Sequence, residues 1–348
     1  MSKKNYNHLY AAKGIGILLV IVGHVISQVS YLGKTIYCFH MPLFFLLSGV
    51  FAYTCEKSTF LPFFKKNLKQ TIVPYVVFLA TGILANYIVP EWRVELTPER
   101  FTDTLLHCNP YYWQTTGALW FLVALFGTRL LFYFYHKLVL RHAGKVANAF
   151  LVLFAFYAAF YVYTLEVSYS IPMPFQFKSI LMALPFYMTG YLLSDEIKAF
   201  NFKGKSAANL VAVVAAAVLL FGYAAKYNGS VNLGGNWYNN SFLYMVFAFC
   251  GILTTLGLAT VLQRSRLLCF LGKESMTIYI VHLFVQHFYN YIAQNGFGVK
   301  LDDTIVNITN WPNTVRLIVT VVLSVLIAYI VAKFRDRQAS KSQAVQAV

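Results

Sequence analysis

Seven ionisable side chains stand inside otherwise apolar stretches of this sequence: Lys13, His24, His40, Arg129, His282, His287 and Arg316. A charge at the centre of a bilayer-spanning helix costs about 2.5–3.5 kcal/mol even on the mildest scale, so each of these groups must face protein or water and is a candidate for function. Lys13 and His24 are eleven residues apart. On a helix that spacing leaves them within about 20° of one another, on one stripe with Ile17 and Val20, and roughly 16 Å apart along the axis. One face therefore links two depths, with a cation suited to holding an anion at one and an imidazole suited to moving a proton at the other. His24 and His40 lie eight residues either side of Leu32. An antiparallel hairpin would place them at similar depth, as a histidine pair across two helices, or each would serve structurally by bonding nearby backbone. His282 continues a stripe with Ser275, Tyr279 and Gln286, read mainly as packing and hydrogen bonding. Arg129 reads equally as an anion contact and as a snorkelling or interhelical side chain, and Arg316 as structural or interfacial.

The elements that position these groups follow from composition. Of 348 residues, 59% are hydrophobic and 11% charged, whereas soluble domains carry about 25% charge. At about 20 residues per span, that apolar content supports about ten transmembrane helices and leaves little for a soluble domain. The predicted fold is all-α: a polytopic membrane protein forming one domain over 1–348. Its spans lie near Leu9–Val29, Ile36–Tyr53, Ile72–Val89, Ala118–Tyr135, Asn148–Thr164, Ile180–Leu193, Ala207–Tyr223, Ser241–Leu262, Ser275–Tyr291 and Val315–Val331. With both termini cytoplasmic, 19 of the 28 basic residues fall in inner segments and six in outer ones, the bias that sets membrane orientation. The net charge of +16 is then a matter of topology, and no nucleic-acid partner is implied. The first span follows Lys3 and Lys4 but contains Lys13 and His24 and lacks a small-x-small cleavage site, so it reads as retained rather than as a cleaved leader. In the outer segment after the third span, Thr97, Pro98 and Glu99 read as a helix start.

Absences narrow the chemistry. Five Cys with no CxxC pair give no disulfide scaffold, no metal site and no iron–sulfur cluster. No Asp or Glu lies well inside a span, which weighs against the alternative of a cation-coupled transporter or flippase for a glycan or lipid-linked sugar. Neither a P-loop, an HExxH nor a GxSxG string is present. Histidine chemistry remains. Trp92, Tyr111, Tyr112, Trp113, Trp237, Tyr238 and Trp311 fall near the outer surface, where ring faces suit sugars but an interfacial aromatic belt is the favoured reading for most of them.

Four strings carry a resemblance: Lys13-Gly-Ile-Gly-Ile-Leu-Leu-Val-Ile-Val-Gly-His24; Phe39-His-Met-Pro-Leu-Phe-Phe-Leu-Leu-Ser-Gly49 followed by Lys69 and Ile-Val-Pro74-Tyr75; Leu119-Trp-Phe-Leu-Val-Ala-Leu125; and Leu271-Gly-Lys-Glu-Ser-Met-Thr-Ile-Tyr-Ile-Val-His282. In this order they resemble the integral-membrane acyltransferase-3 family, closest to its sugar O-acetylase branch. The family normally has Arg where this chain has Lys13, which carries the charge without the bidentate fork. The resemblance implies acyl transfer, commonly of acetyl, to envelope carbohydrate, with His24 catalytic and acyl-CoA bound on the cytoplasmic side near the loop carrying Lys65, Lys66 and Lys69. Some relatives add a hydrolase-like domain, and the end at Val348 predicts none here.

The expectation that follows is a bacterial inner-membrane O-acyltransferase with acetyl-CoA as co-substrate and no permanently bound cofactor. The CoA phosphates would sit among Lys13, Lys65, Lys66, Lys69 and Arg129, and the acyl arm would run along the Lys13/His24 stripe. Neutral His24 would be general base on a carbohydrate hydroxyl, His40 would orient it, and Ser48, Tyr279 and His282 would support the site. A covalent route through Ser48 or Cys38 is the less favoured alternative, since neither has a base at a defensible spacing.

Overall fold

The computed structural model describes residues 6–52, 58–109, 112–113, 115–169, 173–202, 206–299, 301 and 311–346. Tyr53, Tyr111 and the basic residues Lys3, Lys4, Lys57, Lys203, Lys205 and Lys300 lie outside them. Among the described residues every regular element is helical, apart from an isolated antiparallel bridge between Asn232 and Trp237. The helices are α1 (Asn7–Val25), α2 (Tyr31–Val50), α3 (Phe60–Ile88), α4 (Pro98–Leu106), α5 (Trp120–Leu138), α6 (Lys145–Tyr169), α7 (Phe177–Leu192), α8 (Ser194–Ala199), α9 (Ser206–Tyr227), α10 (Ser241–Leu262), α11 (Arg266–Lys273), α12 (Ser275–Phe297) and α13 (Trp311–Gln346).

Among the described residues seven helices, α1, α3, α5, α6, α9, α10 and α13, are long and apolar enough to cross a membrane, and α11 with α12, bent by 82°, forms an eighth if the pair is one span. The chain is an all-α integral membrane protein. Helices α2 and α7 fall on the other two expected segments and lie in the interior: α2 is buried from Ile36 through Leu47. A helix walled by protein need not present the apolar circumference that lipid demands. Helices α6 and α9 are the opposite case, mostly unburied, with Phe150, Phe154, Val211 and Val218 projecting from the protein as a lipid-facing surface would.

Close helix crossings fix the centre. A Cβ on Gly14 would lie 2.2 Å from the Leu268 carbonyl oxygen, and one on Gly272 would lie 1.8 Å from that of Tyr10, so α1 and α11 touch backbone to backbone. Gly49 and Gly190 make the same reciprocal contact between α2 and α7. Such approaches are how helices gain van der Waals contact in a medium that provides little hydrophobic drive.

The basic cluster is placed differently from the sequence expectation. Lys65, Lys66 and Lys69 belong to helix α3, not to a loop. Phe60, Phe63 and Phe64 precede the apolar window but pack their rings on Tyr133, Phe134 and Phe126 of α5, which gives this stretch a buried face. A π-helical turn over Leu68–Ile72 resets the register just before Pro74, whose missing N–H then falls in the first turn of the α-helical stretch that follows. The aromatic-belt reading fails for Trp113 and Tyr238, each 1% exposed, because both are buried inside the protein, whereas Trp237 and Trp311 are exposed. On α4, Thr97 caps the helix by accepting from the Arg100 amide at 3.3 Å.

Candidate active site

His24 sits in the last turn of α1, where backbone carbonyls have no partner within the helix. Three other helices supply donors. The Tyr37 hydroxyl of α2 donates to the Gly23 carbonyl at 3.3 Å, Gln286 Nε2 of α12 to that of His24 at 2.9 Å, and Arg316 Nη2 of α13 to that of Val25 at 2.6 Å. Arg316, buried at 2% exposure, also brings a positive charge to the negative end of the helix dipole. The backbone beneath His24 is thus clamped from three sides. Gln28 extends the clamp by donating to the Tyr37 hydroxyl at 3.0 Å.

The His24 ring faces His282, with centroids 5.1 Å apart and planes inclined at 47°. His282 is fully buried, and its Nδ1–H donates to the Tyr279 carbonyl at 2.6 Å. Because a carbonyl only accepts, the neutral ring must carry its lone pair on Nε2. That nitrogen is buried with no hydrogen-bond partner among the described residues. Tyr279 in turn donates its hydroxyl to the Ala118 carbonyl and packs its ring 5.1 Å from Phe121. His40 is buried on α2, with Nδ1 bonded to the Ile36 carbonyl at 2.8 Å and its ring 4.9 Å from Tyr37. The imidazole that packs on His24 therefore comes from α12, while His40 meets it across a small cavity of about 40 Å³ shared with Tyr37, Trp120 and Tyr279.

His24 also lines a second, larger cavity of about 390 Å³, with Trp92, Gln286, His287, Asn290 and Arg316 among its walls. One residue thus borders two spaces.

Lys13 lies eleven residues back along the same unbroken helix, its Nζ 5.2 Å from the centre of the Phe51 ring. Arg129 of α5 is near enough for its charge to act on Lys13. Neither cation has a carboxylate within ion-pair distance among the described residues, where the ion pairs are His107–Asp103 and Arg335–Glu274. Arg129 Nη1 donates to Asn67 Oδ1 at 3.1 Å, and Asn67 is flanked on α3 by the exposed Lys65, Lys66 and Lys69. The five basic residues named from the sequence therefore lie around one end of α1 and the start of α3. Ser48 is half-buried two turns beyond His40 toward Phe51, on the Lys13 side of the molecule. Between the two ends, Phe44 packs against Gly16 of α1 and lies 6.2 Å from the Phe121 ring.

One helix thus carries a basic residue and a histidine at two depths, the histidine clamped beside two cavities. A family model for an acyltransferase domain matches residues 7–333. The chain belongs to the acyltransferase-3 family. It is an integral membrane protein carrying an acyltransferase domain. Among curated proteins it is similar to the nodulation protein NolL of Mesorhizobium japonicum, with 32% identity over 126 residues, 33% of this chain and 32% of that protein. The match spans about a third of that relative's length. No solved structure matches the chain.

Sequence reasoning did not foresee the His24–His282 contact, the three-sided clamp, or the amide-lined cavity at Gln286 and Asn290. The one available signal was spacing: Gln286, Asn290 and Gln294 recur every four residues on the helix that bears His282.

Proposed function

We propose that this acyltransferase moves an acyl group, acetyl in the first instance, from cytoplasmic acyl-CoA to a hydroxyl of a carbohydrate or lipid-linked glycan beyond a bacterial inner membrane. The observation that carries this reading is that His24 lines two cavities, with Lys13 on the same helix roughly 16 Å away. In this reading the Lys13 end of α1 faces the cytoplasm, in keeping with the basic inner segments, and both termini lie on that side.

Lys13 and Arg129 are like charges held near one another without a carboxylate, an arrangement that favours an anionic visitor. The CoA phosphates would bind there, with Lys65, Lys66 and Lys69 extending the positive surface outward. The pantetheine arm would follow α1 inward and displace the Phe44 ring that now fills the route. At the far end His24 takes the proton of the acceptor hydroxyl as its oxygen attacks the thioester carbonyl. The carbon–sulfur bond breaks, and the departing CoA sulfur receives that proton from His24. With the acceptor bound, His282 would offer its so far unpartnered Nε2 lone pair to an N–H of His24, 5.1 Å away between ring centres, and so turn the other His24 nitrogen, as the base, toward the acceptor. His40, Tyr279 and Ser48 line or flank this path without a separate chemical step.

The test uses purified protein in detergent with radiolabelled acetyl-CoA and no ion gradient. Transfer of label to carbohydrate by the wild-type chain, reduced by about 10²-fold or more in His24→Ala, is the expected outcome. Transfer by folded His24→Ala at the wild-type rate would remove the assigned base.

A further inference from the structure

The outer half of α12 has two unlike faces. Phe288 and Ile292 are exposed and apolar, whereas Gln286, Asn290 and Gln294 line the cavity of about 390 Å³ beside His24. A cavity of that size is within the usual range for a small-molecule site, about 300–1,000 Å³, and sites of this kind carry a few placed polar groups. Here those groups are mainly carboxamides. Gln286 has spent its amide hydrogen-bond donor on the His24 carbonyl at 2.9 Å, and its Oε1 is buried with no donor among the described residues. Asn290, one turn farther out, likewise has a buried Oδ1 with no donor. Two acceptor oxygens one helical turn apart, beside the candidate base, lack the hydrogens that an occupant would bring. Trp92 closes the space from the segment after α3, edge-on to His287 at 6.3 Å and to Tyr291 at 6.2 Å, and Glu91 beside it accepts from Asn295 at 3.4 Å.

We infer that this cavity is the acceptor subsite, and that it selects a ring-shaped polyol offering one hydroxyl to His24 and at least one further hydroxyl as donor to Gln286 and Asn290. The inference rests on the acyl-CoA reading above and deepens it. Amide oxygens reward hydroxyl hydrogens, and an aromatic wall rewards the apolar face of a sugar ring. A ring with a single hydroxyl would satisfy His24 but leave both amide oxygens unpaired, so it would be accepted poorly.

The experiment compares neutral methyl hexopyranosides and their monodeoxy analogues with cyclohexylmethanol, a ring bearing one hydroxyl, as acceptors for acetyl-CoA in detergent-solubilised protein. The glycosides should be preferred, one deoxy position should raise KM about tenfold, and Asn290→Leu should raise the glycoside KM by about the same factor without changing that for cyclohexylmethanol. Trp92→Leu, at the rim, should raise the glycoside KM independently and guards against misfolding of the Asn290 variant. In each variant the KM for acetyl-CoA should stay within about twofold of wild type, since the donor end is roughly 16 Å away. Equal use of glycosides and cyclohexylmethanol, or an unchanged glycoside KM in both variants, would overturn the polyol subsite. So would turnover of acetyl-CoA with water but with no glycoside, which would leave the donor reading standing. Failure of the wild-type protein to bind or turn over acetyl-CoA at all would overturn the acyl-CoA reading, and this inference with it.

Discussion

Replacing His282 by Phe separates a functional role from a structural one, because the two roles predict opposite effects on stability. The substitution removes the Nδ1–H bond to the Tyr279 carbonyl, worth about 0.5–1.5 kcal/mol net, and also removes a buried Nε2 whose lack of a partner costs about 1–3 kcal/mol. Phe keeps a planar ring in the site and is somewhat larger, so no cavity is left. The sum lies between a loss of about 0.5 and a gain of about 2.5 kcal/mol, and the unfolding midpoint in detergent should hold or rise. Activity should move the other way. Without a ring nitrogen for His24 to bond once the acceptor is in place, the base loses its orientation, and kcat should fall about 10–100-fold, or about 1.4–2.7 kcal/mol of barrier. His282→Asn, which keeps an acceptor oxygen, should recover part of that loss. The assay is acetyl-CoA turnover with a saturating acceptor, alongside thermal unfolding of the same preparations. Full kcat in His282→Phe, or a midpoint lowered as far as for an ordinary core mutation, would show that His282 only packs.

Other expectations follow from particular contacts. Neutralising Lys65, Lys66 and Lys69 together to Gln should raise the KM for acetyl-CoA several-fold at low salt, with the difference shrinking at high salt as screening removes the contribution of exposed charges. Phe44→Trp, which thickens the plug between the two ends of α1, should lower kcat/KM for acetyl-CoA while leaving the fold intact by circular dichroism. Gly272→Ala would drive a methyl group into the Tyr10 carbonyl, and it should destabilise the protein by about 1–3 kcal/mol or force α1 and α11 apart, read as a lowered unfolding midpoint. On the surface helix α4, burial pushes the Asp103 carboxyl upward, but hydrogen bonds from His107, Asn109 and Tyr112 outweigh it and hold the carboxyl below the ordinary Asp value. A depressed folded pKa stabilises above the unfolded value of about 3.9 and is lost as pH falls through the folded one. Hydrogen-exchange protection of α4 should therefore fall on acidification in the wild type and be low at all pH values in Asp103→Asn.

Much was legible from residue type alone. A chain with 59% hydrophobic residues has few ways to satisfy its backbone in lipid other than helices or a closed barrel, and its long uncharged runs separated by basic segments fixed the former. The Lys13–His24 stripe is a property of one helix, and helical geometry transmits it unchanged into the fold. Thr97 as a helix cap was likewise local. The start of α3 was not. Phe60, Phe63 and Phe64 find ring partners, and Phe63 burial, only when α5 lies alongside, so a window of apolar residues begins too late and leaves Lys65, Lys66 and Lys69 in a loop that does not exist.

By itself, the sequence determined a helical membrane protein with a cation and an imidazole at two depths on its first helix, because backbone hydrogen bonding in lipid and the pitch of an α-helix leave no other arrangement of those residues. Which imidazole meets His24, and what clamps it, only the tertiary structure decided. His282 and Gln286 lie more than 250 positions away along the chain and Arg316 nearly 300, and helix periodicity says which residues share a face but not which faces meet. That choice was made by the backbone contacts at Gly14 and Gly272, and by the bend between α11 and α12 that turns the polar face of α12 toward the end of α1.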